Sequence, residues 1–180
     1  MSERRNHVGV VYSLTVVAPI APGREQAARE AIEALPVGAA SPLARLEGLH
    51  FSRLHVVSEL VFQGPRQRHR DHLRASQLVF TSTFDGELDP YLEALRTRAG
   101  PDVWWRHCAG YPGSADAASF VRFVREHQID SSLFASAHPD VTVAGVKASL
   151  ALRERIVDFA ASAHGLDAAD LQRRFRETFA

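Results

Sequence analysis

The sequence of 180 residues has a single cysteine, Cys108. One cysteine excludes an intrachain disulfide and any thiolate-rich zinc or iron–sulfur site, and it is typical of a protein in a reducing cytoplasm. An uninterrupted apolar run of about 18 residues is also missing, and so is the apolar core of a signal peptide. We therefore expect a cytoplasmic protein that is neither secreted nor inserted in a membrane.

An excess of charge of either sign is absent as well. Lysine plus arginine and aspartate plus glutamate both total 21, and only Lys147 among the basic residues is a lysine. A chain without net positive charge has no global field to attract nucleic acid or an acidic membrane. We expect no nucleic-acid partner and no membrane partner.

Several catalytic motifs are missing. The chain has no glycine-rich phosphate loop, no nucleophile elbow, no paired acidic motif and no zinc signature. These absences count against kinases, NTPases, α/β-hydrolases and zinc proteases.

What the chain does contain is a globular composition, with 46% hydrophobic and 23% charged residues. We expect one domain over residues 1–180. Residues 8–20 are rich in β-branched and aromatic side chains up to Pro19, which predicts a strand in the middle of a sheet. The apolar spacing over 23–35 predicts the first helix.

The middle of the chain predicts two more strands and a second helix. The strands lie in LHFSRLHVVSELVF and QLVFTSTF, and Pro90 and Gly100 bracket the helix. Residues 64–76, GPRQRHRDHLRAS, are dense in arginine and histidine without a period, which indicates a solvated hairpin loop.

The last third predicts an aromatic insertion, VWWRHCAGYPG, followed by a short helix in ASFVRFVREHQ. A fourth strand is expected within 129–137, around LFASA. A C-terminal helical extension then covers 141–180, with helices over 143–162 and after Asp167. Three apolar residues of the last helix fall at i, i+4 and i+8, which favours contact with a partner subunit; they are Leu171, Phe175 and Phe179.

The order strand, helix, strand, strand, helix, strand over 8–137 is that of an α+β, ferredoxin-like β-α-β-β-α-β sandwich. Together with the opening LTVVAPIAPGREQAAREAIEAL, this order resembles the dimeric α+β barrel superfamily. The blocks GLHFSRL, LVFTSTFDG and HCAGYPG are similar to an uncharacterised bacterial family of that fold. No catalytic motif transfers residue by residue.

The resemblance implies a homodimer that pairs through the sheet face, with a ligand cavity beside or between the sheets. The superfamily includes small cofactor-independent monooxygenases, haem-degrading monooxygenases, chlorite dismutases and dye-decolorising peroxidases. A small-molecule ligand and an oxygen-using reaction are the expectations that follow.

Because side chains alternate along a strand, Ser13 and Thr15 share one face of their strand, and Arg53 and His55 share one face of theirs. An arginine and a histidine on one face offer a fixed cation and a group that titrates near neutrality, which suits an anionic or enolisable substrate. The alternative is a polar dimer interface or a partly wet sheet face. The predicted ligand-binding residues are Tyr12, Thr15, Arg53, His55, Thr81 and Thr83.

A second group of reactive side chains is His107, Cys108 and Tyr111, beside two tryptophans. Neighbouring residues normally point apart, so a Cys–His catalytic pair is not expected. The favoured interpretation is a structural turn in which the aromatic rings pack over the core and Cys108 is a small buried group.

His69, Asp71 and His72 could bind a divalent ion, but the arginines of the same loop oppose a cation, and no metal site is predicted. That loop could instead contact an anion or an acidic partner. Haem is a further possibility implied by the superfamily, although the sequence has no CxxCH motif and singles out no axial ligand. The five histidines considered are His50, His55, His107, His127 and His138.

Three functions therefore stay open. The first is small-molecule binding or an oxygen-using reaction around Arg53 and His55. The second is a non-enzymatic domain that self-associates or binds a partner, with residues 64–76 as the recognition surface. The third is haem binding.

Overall fold

The computed structural model describes residues 5–69 and 71–179. The chain divides into two compact units, one ending at Asp140 and the other beginning at Val141. Among the described residues, no helix combines the length and the apolar character that a membrane span requires.

The first unit contains a four-stranded antiparallel sheet, in the order β1-β2-β4-β3. Its strands are β1 (His7–Val8), β2 (Val11–Pro19), β3 (Leu49–Val57) and β4 (Gln77–Asp85). Burial alternates along β2 and β4, as expected when one face of a sheet packs on a core and the other does not. The α+β class is confirmed.

The described part of this unit contains the helices α1 (Glu25–Glu33), α2 (Leu88–Arg98), α3 (Asp102–Trp105) and α4 (Ala117–His127). Two short 3₁₀ turns, Gly38–Ala40 and Pro42–Arg45, lead into β3. The buried side chains of β2 and β4 alternate with partly exposed ones and join α2 and α4 in one core. We call the side of the sheet that packs on this core the inner face, and the opposite side the outer face.

The aromatic insertion forms α3 and supplies the centre of that core. Trp104 and Trp105 are both fully buried. The Trp104 ring stacks on Phe80, with 6.3 Å between ring centroids. The Trp105 ring lies 5.7 Å from Phe120 and 6.0 Å from Phe123 of α4. The insertion thereby anchors α4 to the sheet.

The predicted fourth strand within 129–137 is wrong, because those residues form neither strand nor helix. The edge of β2 pairs instead with β1 and, through one bridge at Val16, with Gln128. The following segment is held by the Asn6 side chain, which donates to Asp130 (3.0 Å) and accepts from the Ser131 amide (2.8 Å). Side-chain bonds therefore take the place of a strand ladder along this edge.

The second unit is a helical hairpin of α5 (Val143–Ser162) and α6 (Ala168–Phe179). Thr142 caps α5 by accepting a hydrogen bond from the Gly145 amide at 3.0 Å. The Phe159 ring contacts Phe175 and Phe179 at centroid distances of 5.8 and 5.4 Å. Two of the three residues in the predicted subunit-contact stripe thus pack within the hairpin.

Candidate functional site: the outer face of the sheet

Strand register arranges the outer face in three cross-strand rows, each with one residue from β2, β4 and β3 in that order. In the central row Thr15 pairs with Thr81, and Thr81 pairs with Arg53. Directly paired side chains on one face have Cβ atoms roughly 4.5–5.5 Å apart. The flanking rows are Ser13, Thr83 and Phe51 on one side, and Val17, Val79 and His55 on the other.

The register therefore brings five of the six predicted ligand-binding residues to one face. Tyr12 is the exception, because it does not lie with the other five. Because side chains alternate along a strand, Tyr12 points to the opposite side from Thr15. It is buried in the core, where its ring stacks on Phe84 at 5.2 Å and its hydroxyl accepts a hydrogen bond from Gln128.

The central row combines a cation with two hydroxyl groups. Arg53 is exposed, and its guanidinium carbon lies 5.6 Å from the centroid of the Phe51 ring. Within the described residues, no carboxylate forms an ion pair with Arg53. Its hydrogen-bond donors, with the hydroxyls of Thr15 and Thr81, are therefore available to an external acceptor.

His55 is at the edge of this face. It is exposed on β3 and borders a cleft of about 260 Å³ that lies against α1. Arg29 of α1 lines the same cleft and donates hydrogen bonds to the Val56 carbonyl (3.3 Å) and to Ser58 Oγ (2.6 Å). The cleft is smaller than the roughly 300–1,000 Å³ of small-molecule pockets, and it lies beside the central row without including it.

A histidine–aspartate pair was missed by the sequence analysis. His50 Nε2 is 2.7 Å from Asp85 Oδ1, and both side chains are partly buried. The strand register shifts between Leu49 and Phe51, and this bulge directs His50 toward the end of β4. The local sequence signals are Gly48 before β3 and the Asp85-Gly86 pair at the end of β4, and neither reveals which residues face each other.

The pair has the chemistry of a general base. A carboxylate on one ring nitrogen fixes the tautomer of an imidazole and leaves the other nitrogen to accept a proton. Asp85 is four residues from Thr81 along β4, which is about 13 Å at the rise of an antiparallel strand. The pair therefore lies toward one end of the rows.

His107 and Cys108 are both buried beside β2, where Cys108 bridges to Ile20 and the Ala21 amide donates to the His107 carbonyl. Burial raises the pKa of the Cys108 thiol to about 12, which disfavours the reactive thiolate. Burial, together with nearby Arg24 and Arg106, lowers the pKa of His107. This environment suits a structural role.

Tyr111 has a separate set of partners. Its hydroxyl donates to Asp102 Oδ1 at 2.6 Å, and Ser114 donates to Oδ2 at 2.7 Å. Burial acts against ionisation of Asp102, but these hydrogen bonds keep its pKa below the usual value. Burial also raises the pKa of Tyr111. The three residues predicted as a secondary group therefore do not form a nucleophile–base arrangement.

The arginine- and histidine-rich loop lies between β3 and β4. His69, Asp71 and His72 are exposed, and Arg70 is outside the described residues. Within residues 5–69 and 71–179, no three or more histidine, cysteine, aspartate or glutamate side chains are grouped so as to hold a metal ion.

The histidines considered as haem ligands do not provide a fitting site. His50 is bonded to Asp85, and His127 Nδ1 is bonded to the Phe123 carbonyl at 2.8 Å. His107 is packed in the core, His138 is exposed, and the cleft at His55 is too small for a macrocycle.

Comparison of the chain with protein-family models, with curated proteins and with solved structures finds no match.

Proposed function

We propose that this protein is a small-molecule-binding domain of the dimeric α+β barrel type, and that it binds an anionic ligand on the outer face of its sheet. The observation that carries the proposal is the central row, where Arg53, Thr81 and Thr15 lie side by side across three strands. This row presents a permanent cation and two hydroxyl donors without a carboxylate partner for Arg53 among the described residues.

The neighbouring rows favour a ligand with an apolar body. Val17 and Val79 flank the central row on one side, and Phe51 lies on the other with 55% of its surface exposed. A guanidinium binds a carboxylate through two parallel hydrogen bonds. A small aromatic or aliphatic carboxylate would therefore place its charge on Arg53 and its body on the valines or on Phe51.

A reaction on this face would involve His50 only with a ligand long enough to extend from Arg53 toward the end of β4, where the His50–Asp85 pair lies. The superfamily resemblance makes an oxygen-using reaction on an enolisable ligand the chemistry to test once binding is established. In such a reaction the nitrogen of His50 that is not bonded to Asp85 would accept the proton.

Isothermal titration with benzoate tests the binding proposal. We expect the wild-type protein to bind benzoate and Arg53→Gln to bind it at least about tenfold more weakly, because a charge-assisted hydrogen bond contributes about 1.5–3 kcal/mol. Arg122→Gln is the matched control, since Arg122 is an exposed arginine of α4. Equal affinities for wild type and Arg53→Gln, or no binding of benzoate, acetate or phosphate, would overturn the proposal.

A second candidate is self-association through the same face without a ligand. The exposed Phe51 ring on an edge strand supports it, because an aromatic side chain at such a position is a common interface anchor. Phe51→Glu should then lower the mass measured by sedimentation, whereas Val37→Glu, on a loop where Val37 is 87% exposed, should not. An unchanged mass for Phe51→Glu counts against this candidate.

A further inference from the structure

Helix α5 carries apolar side chains on two opposite sides. At about 100° per residue, Val146, Leu150 and Val157 fall within about 40° of one another, and Leu150 is about 180° from Phe159. Phe159 faces α6, so α6 cannot cover the other side. We call Val146, Leu150 and Val157 the exposed stripe of α5; their exposed fractions are 43%, 52% and 57%.

The hairpin has little core of its own. Neither α5 nor α6 contains a buried residue. A segment of about 40 residues usually needs a disulfide, a metal or association to be stable. A helix with apolar residues on both sides requires a partner on each. The exposed stripe is therefore a surface that association would bury.

The charged residues beside the stripe indicate which partner fits. Lys147, Glu154 and Asp158 lie on one flank of the stripe, within about 40° of one another. Within the described residues neither Lys147 nor Glu154 forms an ion pair. They are seven residues apart, about 10 Å along the helix, which is too far for a pair within one helix.

A second copy of α5, packed antiparallel to the first, would both bury the exposed stripe and pair the charges on its flank. With a two-fold axis near residues 151 and 152, Val146 lies opposite the partner's Val157, and the same flanks of the two helices meet. Lys147 then lies about 3 Å along the axis from the partner's Glu154 and equally far from the partner's Asp158. The flank has a positive charge, Lys147, toward the N-terminus of α5 and two negative charges, Glu154 and Asp158, toward its C-terminus. Opposite charges therefore meet only when two such flanks run antiparallel.

Arg153 is the one charged residue within the seam. Together with Glu154, Val157 and Asp158 it borders a concavity of about 390 Å³ on this side of α5. The methylene stem of an arginine covers apolar surface while its guanidinium stays in water. In the antiparallel arrangement this stem lies over the partner's Leu150.

We propose that α5 pairs with α5 of a second copy of the chain in this antiparallel register, burying the exposed stripe and forming two symmetry-related Lys147–Glu154 ion pairs. The occupant is a second copy because the charge pattern of the flank is self-complementary. This pairing is independent of ligand binding on the outer face of the sheet.

A charge-swap cycle on the full chain tests the pairing. Sedimentation equilibrium would measure the dimer dissociation constant of wild type, Lys147→Glu, Glu154→Lys and the double variant at low salt. Each single variant places like charges together twice per dimer and should weaken association roughly tenfold. The double variant restores both pairs with position 154 but leaves the new carboxylate at position 147 about 3 Å along the axis from the partner's Asp158, so it should recover most, and not all, of the lost affinity.

Matched controls separate this effect from net charge. Arg122→Glu and Glu126→Lys make the same charge changes on exposed residues of α4 and should leave the dissociation constant unchanged. Far-ultraviolet circular dichroism verifies that each variant retains its helices. A monomer at all concentrations, a dimer indifferent to the single variants, or a double variant without recovery would each overturn the proposal. A dimer that responds to Phe51→Glu but not to the helix variants would assign association to the sheet face instead.

Discussion

At the scale of single residues, burial governs the chemistry of Cys108. Because burial raises the pKa of its thiol to about 12, almost none of it is thiolate near neutral pH. We expect a disulfide reagent such as Ellman's to react with native protein at about pH 8 much more slowly than with denatured protein. Val37→Cys, at a position where the native side chain is 87% exposed, should add one fast-reacting thiol. Rapid labelling of Cys108 in the native protein would contradict its structural role.

His107 should make stability depend on pH. Burial lowers its pKa, with Arg24 and Arg106 acting in the same direction, so the folded state favours the neutral ring. The unfolded chain binds the proton more readily. The contribution of His107 to the free energy of unfolding should therefore be complete above about pH 6.5 and should decrease as the pH falls below that value. His107→Leu removes this titration and should flatten the slope in urea titrations across that range. Parallel stability curves for the two proteins would rule out this contribution.

The candidate site could be predicted from the sequence only in part. The alternation of side chains along each strand is enough to place Thr15, Arg53 and Thr81 on the polar faces of their strands. The strand register, which the structure supplies, brings the three into one row. The same parity rule excludes Tyr12, which lies three positions from Thr15. His50 could not be found, because its approach to Asp85 depends on a bulge that no local residue pattern specifies.

At the scale of elements, the turn between β1 and β2 contains Gly9, which lies against Pro139 near the end of the first unit. Its φ is +62°, and a Cβ there would overlap the Pro139 carbonyl, which accepts a hydrogen bond from the Val10 amide at 2.8 Å. Gly23 has a similar φ of +76° but nothing within 4 Å of a Cβ.

Gly9→Ala should therefore destabilise the protein more than Gly23→Ala. The left-handed conformation costs about 1 kcal/mol at both positions, and the overlap with Pro139 adds roughly 1–3 kcal/mol at Gly9 alone. Urea denaturation of the two variants measures the difference in the free energy of unfolding. Equal losses would show that the contact with Pro139 does not constrain the turn.

The five longer helices and the three long strands could be predicted because each carries its own periodicity or its own boundary residues, whereas the four-residue α3 was expected only as a turn. The absence of a fourth strand could not be predicted, because the sequence LFASA does not show whether a sheet edge is free to pair with it. That edge is instead occupied by His7–Val8 and by the Asn6 side chain, which bonds to residues 124 and 125 positions away. Contacts at such separations leave no local signal.

At the scale of the whole molecule, the chain offers two surfaces with different chemistry. The outer face of the sheet presents the Arg53 row, and the hairpin presents the exposed stripe of α5. The first suits a small anion, and the second suits another copy of the helix. Under the two proposals, ligand binding and association use different residues, so each is tested with its own variants.

A ¹H–¹⁵N NMR titration of the wild-type protein with benzoate would locate the ligand through the shifts of the backbone amides. We expect the largest shift changes at residues 13–17, 51–55 and 79–83, and we expect Arg53→Gln to suppress them. Changes centred on α4 or α6, or none at any benzoate concentration, would contradict the assignment of the outer face as the ligand site.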